Sequence, residues 1–113
     1  MHGQNSAFYL ALLLTATVAV FIAVLTLFPV PELTVAQSDK LYHIIAFGAL
    51  TFPSALLHLP LSRVVLIFAI LFGALIEVIQ PHVGRTGSWE DFLADVLGAL
   101  FGWVFARVIR KHL

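Results

Sequence analysis

The chain has 113 residues, of which 61% are hydrophobic and 11% are charged, and its mean hydropathy is +1.04. Soluble domains contain roughly 45–50% apolar and about 25% charged residues, so no single small core can hide these side chains, and most must face lipid. The formal net charge of zero and the absence of cysteine argue against a nucleic-acid partner and exclude a disulfide framework, a thiolate metal site and a cysteine nucleophile.

The first apolar stretch runs from about residue 7 to residue 28 and stops at Pro29 and Pro31. It is long enough for a transmembrane helix, which needs about 20 residues. A secretory signal peptide cleaved near Ala36 is the alternative. No Lys or Arg precedes the stretch, and it is about twice as long as the usual 7–15-residue signal core, so we expect it to be retained.

The second and third apolar stretches cover about residues 39–59 and 62–80. Pro60 is expected to end the second helix, because proline interrupts the hydrogen bonds of a helix interior. Ser62 is expected to cap the third helix, and Pro81 marks its end.

The fourth stretch covers about residues 89–109 and follows a capping-box pattern, in which Ser88 and Asp91 are expected to satisfy each other's backbone amides. The chain is therefore predicted to be all-α, a polytopic membrane protein with a bundle of four transmembrane helices. All 113 residues are assigned to one domain.

Lys and Arg residues predict the orientation, because positively charged loops favour the cytoplasmic side. Four spans place four basic residues on the side of both termini and two on the other. Both termini are therefore expected in the cytoplasm. The first group is Arg63, Arg107, Arg110 and Lys111, and the second is Lys40 and Arg85.

Small residues recur every four positions in the fourth helix, where close backbone packing can hold helices together in lipid. One interpretation is packing within the bundle, and the other is a homo-oligomer through Gly98 and Gly102. The predicted packing residues are Ala94, Gly98, Gly102 and Ala106.

Polar residues that a membrane should exclude stand near one end of the second, third and fourth helices. Since antiparallel helices bring these ends to the same face, we expect one extracytoplasmic pocket. Ionisable residues within a span usually face a partner or a cavity. The predicted binding residues are Asp39, Lys40, His43, Glu77, Gln80, Arg85, Asp91 and Asp95.

Structural roles compete with this interpretation: Asp39 can act as a cap, Lys40 can extend to the interface, and the buried groups can form a network that fixes helix register. Acidic residues nevertheless outnumber basic ones at this face, so either protons or a bound cation must compensate. His43, Glu77 and Asp95 are the candidate ligands of a divalent metal.

Several short motifs in this order resemble the VanZ-like membrane proteins of bacteria. They are Asp39-Lys40-Leu41-Tyr42-His43, Glu77-Val78-Ile79-Gln80, then Arg85, Ser88 and Asp91, and finally the glycine pair Gly98 and Gly102. The family is linked to resistance to the glycopeptide teicoplanin. It usually has Asn at the position of Asp95.

The resemblance implies a protein of the bacterial cell envelope, located in the cytoplasmic membrane, and three functions stay open. Lys40 and Arg85 could hold the anionic group of a lipid-linked or cell-wall-derived ligand. His43 with Glu77 or Asp91 could serve a metal-assisted hydrolase or transferase, although no nucleophile motif accompanies them. Glu77 and Asp95 could belong to a small ion-coupled transporter.

Overall fold

The computed structural model describes residues 2–28, 36–83 and 88–113 and contains only helices in these ranges. The helices are α1 (His2–Leu27), α2 (Ala36–Leu57), α3 (Leu59–Ile79) and α4 (Trp89–Lys111), and a single 3-10 turn (Gln80–Val83) follows α3. All four are long and apolar enough to cross a membrane. The predicted fold class, an all-α bundle of four transmembrane helices, is confirmed.

Consecutive helices run antiparallel along the long axis of a body that measures 47 × 22 × 19 Å, so that α2 and α4 point in the same direction. The long axis matches a bilayer with its headgroup regions, which is about 40–45 Å thick. Helix α2 is central: it packs most extensively on α4 and also contacts α1 and α3. Large apolar side chains such as Phe21, Leu71 and Phe101 are more than 60% exposed on the outside, where lipid would surround them.

Glycines bring α2 and α4 into backbone contact. A Cβ atom added at Gly98 would lie 2.7 Å from the Cα atom of Ile44, and one at Gly102 would lie 2.7 Å from the Cα atom of Gly48. These separations are too short for real atoms, so only glycine permits the contact. The glycine face of α4 is thus occupied by α2 of the same chain, which is the first of the two interpretations above.

Hydrogen bonds join α4 to its neighbours in the half of the bundle nearer the termini. Such bonds between helices add modest stability in a membrane. They are Thr51 Oγ1 to the Ala99 carbonyl (2.7 Å), Trp103 Nε1 to Ser62 Oγ (3.0 Å) and an Arg107 guanidinium nitrogen to the Ala55 carbonyl (3.1 Å).

The start of α3 differs from the prediction. His58, not Ser62, is the N-cap, and its ring accepts a hydrogen bond from the Leu61 amide at 3.1 Å. Pro60 stands in the first turn of α3 instead of ending α2, because the first amides of a helix need no intrahelical acceptor. Ser62 is fully buried inside the helix and donates to the Leu59 carbonyl. At α4 the Ser88 cap is confirmed.

Candidate functional site

Three helices contribute ionisable side chains to one end of the bundle, which we call the polar end. Helix α2 contributes Lys40 and His43, α3 contributes Glu77, and α4 contributes Asp91 and Asp95. They meet because α2 and α4 begin at the end where α3 finishes. The antiparallel arrangement therefore assembles a site from residues that are far apart in sequence.

His43 and Asp95 form a buried pair at the centre of the polar end. His43 Nδ1 lies 2.5 Å from Asp95 Oδ1, and the two residues are 6% and 0% exposed. Gly73 of α3 makes room for the carboxylate, since a Cβ there would lie 3.0 Å from Asp95 Oδ2. The other ring nitrogen, Nε2, is 3.9 Å from Asp91 Oδ2. The imidazole thus lies between two carboxylates of α4.

Glu77 joins this pair from α3. One of its oxygens, Oε2, accepts a 2.5 Å hydrogen bond from the Ser88 amide, so Glu77 takes the role expected of Asp91 in the capping box. The Ser88 side chain still accepts from the Asp91 amide. Ligand atoms of Glu77, His43 and Asp95 all lie within 4.8 Å of one another. Glu77 therefore points into the bundle and toward the pair.

The rim of the site is more exposed. Lys40 Nζ lies 3.1 Å from Glu90 Oε2, and both side chains contact solvent or headgroups, so this ion pair contributes little stability. Gln80 is 2% exposed and donates through Nε2 to the Thr26 carbonyl of α1. Gln80 thereby attaches α1 to this end of the bundle.

Comparison with protein-family models shows which family the chain belongs to. The family model described as VanZ/LLP1 matches residues 2–110. The chain belongs to this family. No curated protein and no solved structure matches the chain significantly. The VanZ-like resemblance drawn from the motifs is therefore confirmed over nearly the whole chain.

In this VanZ/LLP1 protein, four of the predicted binding residues come together: His43, Glu77, Asp91 and Asp95. Lys40 lies at the rim and Gln80 lies against α1. The side chain of Asp39, as well as the whole of Arg85, lies outside the described residues. The carboxylates around one imidazole make this arrangement suited to hold a proton or a cation.

Sequence reasoning overlooked two contributors to the site. Gly73, four residues before Glu77, provides the space that Asp95 occupies. The Ser88 amide anchors Glu77, and the capping pattern had assigned that amide to Asp91. The four-residue spacing of Gly73 and Glu77 was the signal for the first, and no pattern in the sequence indicated the second.

Proposed function

We propose that this protein lies in the bacterial cytoplasmic membrane with both termini in the cytoplasm, so that the polar end faces the extracytoplasmic side. The support is the distribution of positive charge. The end opposite the polar end, which we call the basic end, carries four of the six Lys and Arg residues. Such residues are favoured in cytoplasmic loops. The four are Arg63, Arg107, Arg110 and Lys111.

Cysteine labelling tests this orientation, because the chain has no cysteine of its own. We expect Glu90→Cys to react with a membrane-impermeant maleimide in intact cells, and Leu113→Cys to react only after the membrane is opened. Both positions are exposed, Glu90 at 70% and Leu113 at 82%. The reverse pattern would contradict the proposal.

The polar end, on this proposal, binds the anionic headgroup of a lipid-linked or cell-wall-derived ligand. The observation that supports it is the convergence of His43, Glu77, Asp91 and Asp95 from three helices at the end of a membrane bundle. Ionisable residues in spans are costly and usually serve a ligand, ion or proton. A site at that depth is level with lipid headgroups, and Lys40 at its rim can approach an anion.

The family's link to glycopeptide resistance fits such a ligand. A glycopeptide recognises cell-wall precursor at the outer face of the membrane. A protein that binds the same precursor there would reduce the amount accessible to the antibiotic. Teicoplanin resistance would then follow from binding alone, without chemical change of the ligand.

Exchange of Arg85, one of the two basic residues that the sequence predicts to hold the anion, tests the anion site. We expect Arg85→Gln to weaken binding of a polyprenyl phosphate in lipid nanodiscs by about tenfold or more, since a charge-assisted bond is worth about 1.5–3 kcal/mol. Arg110→Gln removes the same charge at the basic end and should bind as wild type does.

A soluble cell-wall peptide with a terminal carboxylate forms the second arm of this experiment, and it distinguishes a lipid-borne anion from a free one. Binding of neither ligand by folded wild-type protein, or equal effects of the two substitutions, would refute the anion site.

The second candidate is a hydrolase or transferase that acts on such a lipid. The His43–Asp95 contact favours it, because a carboxylate that holds one imidazole nitrogen orients the other as a proton acceptor. Mass spectrometry of the lipid after incubation with the protein distinguishes the two candidates, since only an enzyme changes its mass.

A further inference from the structure

An apolar groove follows the seam between α2 and α4, next to the polar end, and we call it the α2–α4 groove. Its volume is about 500 Å³, within the range of about 300–1,000 Å³ that is usual for ligand sites. All of the described residues that line it belong to α2 and α4, and none of them has a polar side chain. The groove is therefore a site for an apolar group.

Two glycines and three phenylalanines give the groove its shape. Gly48 and Gly102 bring the two helices into backbone contact and have no side chains to fill the seam. Phe52, Phe101 and Phe105 stand beside them. The ring centroids of Phe52 and Phe105 are 6.0 Å apart, and those of Phe101 and Phe105 are 6.1 Å apart. The groove thus has a floor of backbone and an aromatic wall.

The groove opens sideways to lipid. Ile45 and Phe101 at its edges are 59% and 69% exposed, in a part of the bundle that hydrocarbon would surround. On α2 the groove reaches from Ile44 to Phe52, which is about 12 Å of helix at a rise of about 1.5 Å per residue. Half of the hydrocarbon core of a bilayer is about 15 Å thick. The groove therefore matches an apolar chain that lies within one leaflet.

The groove continues upward to the polar end. Lys40 stands one turn before Ile44 on the same face of α2, because residues four positions apart lie on the same face of a helix. Lys40 Nζ also reaches across the seam to Glu90 Oε2 of α4 at 3.1 Å. An anionic group that approaches Lys40 would therefore have the groove directly below it.

The single seam favours a lipid with one chain. A phospholipid has two acyl chains, and a glycerol unit separates them from the phosphate. A polyprenyl phosphate has one chain, and its phosphate is bonded directly to the end of that chain. Within lipid, close packing and not exclusion from water holds apolar groups together. The methyl branches and double bonds of an isoprenoid chain offer such packing against the aromatic wall.

We infer that the α2–α4 groove binds the isoprenoid chain of a polyprenyl-linked ligand. The position of the headgroup of the same molecule at the polar end rests on the proposed function, whereas binding of the chain does not. A headgroup held at the polar end would raise the local concentration of its own chain at the groove, so the two contacts reinforce each other. The ligand is then lipid-linked and not a free fragment of the cell wall.

Filling the groove tests the inference in lipid nanodiscs, with polyprenyl phosphate and the uncharged polyprenol as probes. Ala49 lines the groove and is exposed, so Ala49→Phe places a ring in the groove without entering the core. We expect it to weaken binding of both probes by about tenfold. Ala16→Phe makes the same change at an exposed position of α1 and should bind as wild type does. Circular dichroism checks that both variants are folded.

Competition with phosphatidic acid, which has two acyl chains, tests the selectivity for one chain. We expect the wild-type protein to prefer polyprenyl phosphate by about tenfold and Ala49→Phe to remove this preference. Equal affinity of the wild-type protein for the two lipids, with no effect of Ala49→Phe, would overturn the inference and leave the groove to bulk lipid. A wild-type dimer that Ala49→Phe dissociates would also overturn it, because a second copy would then occupy the groove.

The same probes separate the chain site from the anion site. If polyprenol and polyprenyl phosphate bind equally, and Ala49→Phe weakens both but Arg85→Gln weakens neither, the anion site alone is contradicted. If polyprenyl phosphate and phosphatidic acid bind equally, and Arg85→Gln weakens both but Ala49→Phe weakens neither, the chain site alone is contradicted. Binding of polyprenyl phosphate that both substitutions weaken supports both sites.

Discussion

Asp95→Leu is expected to lower the free energy of unfolding by about 3 kcal/mol, because breaking a buried ion or hydrogen-bonded pair leaves its partner without compensation. Asp95 is fully buried, and its loss removes the acceptor that lies 2.5 Å from His43 Nδ1. Leucine has the same branching but larger methyl groups, so it leaves no cavity, and the effect reports the lost polar contact together with some overpacking. Unfolding by SDS in mixed micelles measures it.

Asp95→Asn separates the charge from the hydrogen bond. Asparagine can still accept from His43, so we expect a loss of only about 1 kcal/mol. Glu90→Gln serves as the surface control and should change stability by less than about 1 kcal/mol. If Asp95→Leu were as stable as wild type, the His43–Asp95 pair would have no part in holding α2 to α4.

Gly98→Ala is expected to destabilise the bundle by about 2 kcal/mol, because a methyl group inserted into a packed interface forces backbone shifts. The new Cβ would lie 2.7 Å from the Cα atom of Ile44, which cannot move without the whole of α2. Alanine is the better helix former by about 1 kcal/mol, so propensity alone predicts the opposite sign. The same SDS titration shows whether the substitution destabilises the bundle or stabilises it.

Gly3→Ala is the matched control for this substitution. It makes the same chemical change in a helix, but a Cβ there meets no atom within 4 Å. We expect its stability to equal or slightly exceed that of wild type. Equal effects of the two substitutions would show that the contact between α2 and α4 does not depend on the missing side chain of Gly98.

A structural role and a binding role make different demands on the residues of the polar end. A site that only fixes helix register would lose stability with Asp95→Leu but would not bind a polyprenyl phosphate. A functional site would lose binding of the polyprenyl phosphate with Arg85→Gln while the fold persists. Stability and binding measured on the same variants therefore separate the structural role from the functional one.

The sequence by itself determined the membrane class, the four helices and the family, because these depend on apolar runs of about 20 residues and on motifs read along the chain. The start of α3 was misassigned, since Ser62 resembles a cap, whereas the His58 ring occupies that position. Local patterns name candidate caps but do not show which one reaches the free amides.

Only the tertiary structure decided which polar residues meet. Sequence placed His43, Glu77 and Asp95 near one face, but their mutual distances depend on how closely three helices approach. That approach is set by glycines: Gly98 and Gly102 admit the backbone of α2, and Gly73 admits the carboxylate of Asp95. Such contacts join residues far apart in the chain, and the spacing of residues within one helix indicates a packing face but not which neighbour will occupy it.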